Sequence, residues 1–226
     1  MSPRVVLDGR SLTLEQVEAV ARSPRSSGGP VTVALAPEAR TAMEASRGYI
    51  EERVASGERV YGVTTGFGRL ADVVIAEDRR AELQRNLVRS HAAGMGEPLD
   101  DEAVRALVLL RANALARGHS GCRVVVVERL LELLEHRIHP RVPAFGSVGA
   151  SGDLAPLAHV ALVLLGEGRA TRDGREAVAA ELLAAQGLEP LALEAKEGLA
   201  LINGTQATTA LGVLALLAAE RAVETA

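Results

Sequence analysis

From Glu77 to the last residue, apolar side chains recur every three or four positions and rarely alternate with polar ones. This feature narrows the possible folds most, because such a chain buries stripes on helices rather than faces of a sheet. Val104, Leu107, Val108 and Leu115 mark one stripe, with Asp100 as its N-cap and a stop near Gly118. Hydrophobic residues make up 48% of the chain and aromatic ones only 2%, so the core must be Leu, Val and Ala. Those side chains suit packed helices better than a β-sandwich. The expected fold class is mainly α with small β pieces, and residues 1–226 read as one domain.

Along the chain, Val5-Val6-Leu7 reads as a short strand, and Thr13-Leu14-Glu15-Gln16 as a capping box opening a helix. Residues 23–30 read as a Pro/Gly/Ser loop and 31–35 as a strand. Pro37 suits the first turn of a helix ending near 56–57. Further helices are predicted at 77–93, 124–136 (closed by Pro140 and Pro143), 154–165, 177–186, 191–201 and 205–226. A hairpin over 169–178 turns at Asp173-Gly174. Residues 60–68 (VYGVTTGFG) and 146–152 (GSVGASG) read as glycine-dense loops. The last helix is apolar on nearly every face and needs covering, so we expect other subunits, a longer chain, or both.

A net charge of −4, with Lys and Arg scattered, leaves no electrostatic footprint for nucleic acid. The single Cys122 excludes an internal disulfide and a cysteine-built metal site, and fits a reducing cytoplasm. Arg4, Asp8, Arg10, Glu15 and Glu18 stand where a secretory signal would be apolar. The apolar stretch 210–219 is about half of the roughly 20 residues a membrane span needs. A soluble cytoplasmic protein without membrane contact is therefore expected. His119, His136 and His139 lack metal-ligand spacing, and His159 reads as structural.

The chemistry lies in GSVGASGDLAP, residues 146–156. A glycine nitrogen is sterically open, so in a tight turn the Gly152 nitrogen can attack the carbonyl carbon of Ala150. Loss of one water gives a five-membered imidazolone. Loss of a second, from the Ser151 hydroxyl, leaves an exocyclic methylidene. Asp153 sits beside the ring, placed to hold the strained turn or to move protons. The plainer alternative is a glycine-rich loop with Asp153 capping the next helix.

GSVGASGDLAPLAH closely resembles the signature of the aromatic amino acid ammonia-lyase family, in which Ala-Ser-Gly becomes 4-methylidene-imidazol-5-one. YGVTTGFG (61–68), NLVRSHAAGMGEPL (86–99), SGCR (120–123) and KEGLALINGTQATTA (196–210) are similar to further blocks of that family, in its order. The resemblance implies a helical bundle of the ammonia-lyase/fumarase-like type with glycine-rich active-site loops. It implies a cofactor made from Ala150, Ser151 and Gly152, with no metal and no external cofactor. It also implies a homotetramer with shared active sites, and a C-terminal part that supplies further groups, among them an arginine for the substrate carboxylate.

Residue by residue, the resemblance makes Tyr61 the base that removes the β-proton, and Ser151 the source of the electrophilic methylidene. A tyrosine's ordinary pKa of about 10 is too high for that task, so the role requires a site that stabilises phenolate. The glycines at 62, 66 and 68 suit a lid over substrate. Taken alone, Tyr61 reads equally well as a turn or core residue. His91 alone reads as a dipole partner at a helix end. In the family its position tracks the substrate side chain, and Ser90-His91 matches the members acting on histidine, whose imidazole can exchange a hydrogen bond with another imidazole. Asn203 alone reads as a turn or N-cap residue; by resemblance it binds substrate, with Gln206 assisting and Asp153 supporting the cofactor.

The reaction implied is elimination of ammonia from L-histidine to give trans-urocanate, the first step of histidine degradation. The fragment alone is expected to be inactive, or active only with a complementing C-terminal piece. Two alternatives remain open. One is a relative acting on phenylalanine or tyrosine, including an aminomutase. The other is a non-catalytic helical assembly module.

Overall fold

Helix Asp101–Ala116 is buried on nearly every side, and the other elements are arranged around it. Asp100 caps it as expected, its carboxylate accepting the Ala103 N–H at 2.7 Å. The computed structural model describes residues 4–23, 31–148 and 152–226. Most of the predicted loop at 23–30, and Ala150 and Ser151 of the predicted cofactor, lie outside the described residues.

In chain order the elements are β1 (Arg4–Leu7), α1 (Leu14–Ala21), β2 (Thr32–Leu35), α2 (Pro37–Ala55) and α3 (Arg80–His91). There follow β3 (Met95–Pro98), α4 (Asp101–Ala116), α5 (Val124–Glu135), β4 (His139–Pro140), β5 (Pro143–Phe145) and α6 (Leu154–Leu164). The chain continues through β6 (Arg169–Arg172), β7 (Arg175–Val178), α7 (Ala179–Ala184), α8 (Glu197–Ile202) and α9 (Gln206–Thr225). Helices α1, α2, α5 and α9 pack on α4, while α3, α6 and α8 pack on one another. The result is mainly α, as the apolar periodicity predicts. The β pieces are small: β1 runs parallel to β2, β3 pairs with β5, and β4 joins the β6–β7 hairpin. That hairpin turns at Asp173-Gly174, as predicted.

The predicted capping box is present, with the Thr13 hydroxyl accepting the Gln16 N–H and the Gln16 side chain accepting the Thr13 N–H. Two buried arginines on α4 do similar work at helix C-termini, whose last carbonyls have no partner within the helix. Arg105 donates to Val20 O in the last turn of α1 and to Leu134 O in the last turn of α5, both at 3.0 Å. Arg111 donates to Ala200 O near the end of α8. Burial pushes both guanidinium pKa values down to about 10, which still leaves them charged at neutral pH. Positive charge at three helix C-termini also complements their dipoles.

Several boundaries differ from expectation, each for a local reason. Helix α5 ends at Glu135, before the prolines: Arg137 takes φ 55°, and the Ile138 N–H bonds back to Leu133 O at 2.9 Å. This is a Schellman stop with arginine where glycine is usual. Pro140 and Pro143 lie in β4 and β5 instead. The helix predicted at 191–201 begins only at Glu197, because Lys196 has φ 73° and the Glu197 carboxylate captures the Glu194 N–H. Before α3, residues Glu77–Arg79 form a 3₁₀ turn.

Helix α9 buries Ala207, Ala210, Val213 and Leu217 and leaves Leu211, Leu216 and Val223 exposed, so one face is covered rather than all. By length and composition the stretch Glu197–Thr225 is long and apolar enough to cross a membrane, as a core helix can also be. In this fold it is broken between α8 and α9, and Arg221 pairs with Glu18 of α1 at 2.8 Å.

Candidate active site

A cleft of about 650 Å³ opens between α3, α8 and the loop that follows α2. Leu83, Asn86, Leu87, Ser90 and His91 face it from α3 at helical spacing. Leu199, Ile202 and Asn203 line it from α8, Leu154 from the start of α6, and Tyr61, Phe67 and Gly68 from the loop. Three sequence-predicted residues, Tyr61, His91 and Asn203, therefore meet on one cleft.

The walls of the cleft are fixed from behind. Glu197 is wholly buried and accepts the Arg123 side chain at 2.8 and 2.7 Å, the Arg123 N–H at 3.0 Å and the Glu194 N–H at 2.8 Å. Every oxygen of that buried carboxylate is thus engaged, the condition under which a buried charge is tolerated. Gln84 of α3 accepts the Gly198 N–H at 2.9 Å and draws α8 against α3. The β3–β5 ladder then holds the chain leaving α3 beside the chain entering the cofactor loop. His159 of α6 accepts the Gly94 N–H at 3.2 Å at the same place. Burial lowers the His159 pKa, which keeps the ring neutral for that role.

His91 ends α3 with its Nδ1 2.8 Å from the carbonyl oxygen of Leu87. A carbonyl only accepts, so this contact needs a proton on Nδ1, and in the neutral imidazole Nε2 is then the acceptor. The helix-end role and the cleft-lining role therefore coexist. The Ser90 hydroxyl donates to the same carbonyl at 2.9 Å.

Tyr61 is 56% exposed and meets Phe67 edge-on, with ring centroids 6.0 Å apart. The Gly68 N–H lies 3.4 Å from its phenol oxygen. The loop behind it is anchored rather than loose: Val63, Thr64 and Thr65 are buried, and their N–H groups converge on Val60 O.

Asn203 is the C-cap of α8, its N–H bonded to Leu199 O at 3.0 Å, and not the N-cap of α9, which is Thr205. Gln206 is not among the cleft-lining residues and accepts from Arg111 at 2.7 Å. Asp153 is wholly buried and makes no side-chain cap to α6, contrary to the plainer reading of the loop. It accepts from the Ser147 hydroxyl at 2.6 Å and from the Thr208 N–H and hydroxyl at 2.8 Å.

Gly152 has φ 70°, a region that favours glycine, and its carbonyl accepts the Val148 N–H at 2.6 Å. That bond ties Val148 to Gly152, two described residues on either side of the tripeptide's start. A left-handed Gly152 and an anchored Asp153 are compatible with the ring expected from the tripeptide. Among the described residues, no group of three or more His, Cys, Asp or Glu side chains is arranged to hold a metal. Cys122 is buried and free, and burial pushes its thiol pKa up to about 11.

Sequence reasoning did not find Arg111, the Arg123–Glu197 pair, Ser147 or Thr208. The signal available was an arginine on the apolar stripe of α4, a position that burial forbids unless partners wait there.

Comparison with known proteins agrees with this geometry. Over 217 residues the chain is 53% identical to the histidine ammonia-lyase of Geobacillus sp. (strain WCH70), covering 96% of this chain and 42% of that protein. The solved tyrosine aminomutase from Streptomyces globisporus is similar with a TM-score of 0.84 and 44% identity, covering 94% of this chain and 38% of that one. The histidine ammonia-lyase structure from Trypanosoma cruzi gives a TM-score of 0.85 and 40% identity, covering 95% and 40%. The chain thus spans less than half the length of the relatives it matches. The family described as "Aromatic amino acid lyase" matches residues 12–226, and the chain belongs to that family.

Proposed function

We propose that this chain is the cofactor-bearing part, residues 1–226, of a histidine ammonia-lyase that converts L-histidine to trans-urocanate and ammonia. The observation that carries the reading is the meeting of Tyr61, His91 and Asn203 on one cleft, whose wall includes Leu154, next to the anchored Asp153. The names of the curated relatives, similar over nearly the whole chain, support it.

In the reaction a Cβ–H bond and the Cα–N bond break, a C=C bond forms, and ammonia leaves. The β-proton is weakly acidic and the amine a poor leaving group. When formed from Ala150, Ser151 and Gly152, the methylidene-imidazolone supplies an electron sink that ordinary side chains lack, with no metal or external cofactor. Tyr61 takes the β-proton at its phenol oxygen, toward which the Gly68 N–H points. His91 offers Nε2 as acceptor to the N–H of the substrate imidazole, because its own Nδ1 proton is held by Leu87 O. Asn203 orients the substrate with its amide. Leu83, Leu87, Leu199 and Ile202 line the cleft with apolar surface that excludes water.

The same reading has the protein working in the cytoplasm as a homotetramer, without nucleic acid or membrane. The exposed Leu211, Leu216 and Val223 of α9 support association with further helices. A substrate panel on a protein extended to the length of its relatives tests the reading. Urocanate from L-histidine is expected. Turnover of phenylalanine or tyrosine in preference, or formation of a β-amino acid, would overturn it.

A further inference from the structure

The three residues that join α8 to α9, Asn203, Gly204 and Thr205, are held between two arms of one side chain. Arg111 of α4 is only 4% exposed, and its guanidinium donates to Ala200 O on one side of the junction and to Gln206 Oε1, at 2.7 Å, on the other. The third donor, Nε, is buried without a partner, so the group is oriented by these two bonds. Gly204 lies directly against it: a Cβ added there would overlap both the Gln206 amide and the Arg111 guanidinium. The carbonyl of Gly204 accepts the Asp153 N–H at 3.1 Å, and the Asp153 carboxylate returns to Thr208 in the first turn of α9. A short path of direct contacts therefore runs from Arg111 through Gly204 to the residue that follows the cofactor tripeptide.

We propose that Arg111 is a positioning residue for the cofactor loop and for Asn203, setting both from the far side of the α8–α9 junction. Its two bonds go to the helix junction, and it is not among the residues that line the cleft. Its planar fork suits the task, since one rigid group spans two acceptors on successive helices. Methionine fills the same space without either bond. This inference rests on the proposed function only for what the positioned loop does.

The test compares Arg111→Met with Leu109→Ala in this chain. Leu109 is fully buried on the opposite face of α4, so its truncation destabilises the helix packing without touching the junction. Amide hydrogen exchange is followed at Asn203, Asp153 and Thr208 under conditions where circular dichroism shows both variants folded. Exchange at these three sites should quicken about tenfold or more in Arg111→Met relative to Leu109→Ala, as expected for losing hydrogen bonds from a charged donor. Equal exchange in the two variants would overturn the proposal. Intact mass is read on the same samples, and Arg111→Met should show a smaller fraction lighter by two waters than Leu109→Ala. An unchanged fraction would remove the claim about the cofactor loop. A parent chain that never loses water would instead count against the proposed function, leaving exchange to decide the role of Arg111.

Discussion

The carboxylate of Asp153 receives both the backbone N–H and the hydroxyl of Thr208 at 2.8 Å, so the residue after the cofactor tripeptide caps helix α9. With the Ser147 hydroxyl also on it, one side chain joins the two ends of the loop to a helix start. Asparagine there would turn an amide toward these donors. Asp153→Asn should therefore destabilise the chain by about 1–3 kcal/mol, and Thr208→Val by less, as measured by urea denaturation. Equal midpoints for Asp153→Asn and the parent would contradict this account of the loop.

Glu197 joins the SGCR stretch to α8. Replacing it with glutamine leaves Arg123 with Glu194 as its remaining carboxylate partner and puts an amide donor against the Glu194 and Arg123 N–H groups. Removing one member of a buried pair typically costs about 3–5 kcal/mol, and Arg123 is only half-buried, so a loss of about 2–3 kcal/mol is expected for Glu197→Gln. Chemical denaturation checks the value, and a loss below about 1 kcal/mol would place the pair among ordinary surface bridges.

Two histidines make stability depend on pH. Burial lowers the His159 pKa below its ordinary 6.5. Burial also lowers that of His139, helped by Arg105 near its Nε2 and opposed by Asp101, whose carboxylate lies 3.0 Å from its Nδ1. The unfolded chain therefore binds these protons first as pH falls. Stability from this source is complete above 6.5 and is lost as pH drops from there toward the folded pKa values. Thermal midpoints should be lower at about pH 5.5 than at about pH 7.5. His159→Gln should shrink that difference, because its amide stays neutral throughout.

His91 should be found with its proton on Nδ1, as seen by nitrogen NMR of the imidazole, because the Leu87 carbonyl at 2.8 Å can only accept. A proton resident on Nε2 would remove the acceptor offered to substrate. In an active, full-length form, His91→Phe should weaken use of L-histidine about 10- to 100-fold, the range for losing one buried hydrogen bond to substrate.

Much of this was legible in the residues themselves. The capping box at Thr13, the Asp100 cap and the Asp173-Gly174 turn depend on neighbours in sequence, and they stand where predicted. Tyr61, His91 and Asn203 were singled out only by the resemblance of their blocks to the family's, and the three line one cleft. The misses depend on distant partners. Lys196 breaks a helix that propensity favours because Glu197 binds Arg123, far away in sequence. Asn203 looks like an N-cap until α8 is seen to end on it. Arg105 and Arg111 look misplaced on an apolar stripe until the carbonyls of α1, α5 and α8 arrive.

The central claim is that Ala150, Ser151 and Gly152 become an electrophile within this chain. Intact mass of the purified protein tests it most directly. The account predicts a folded chain lighter than its sequence by two waters, with the change mapping to a peptide containing 150–152. A folded chain at its full sequence mass would contradict it.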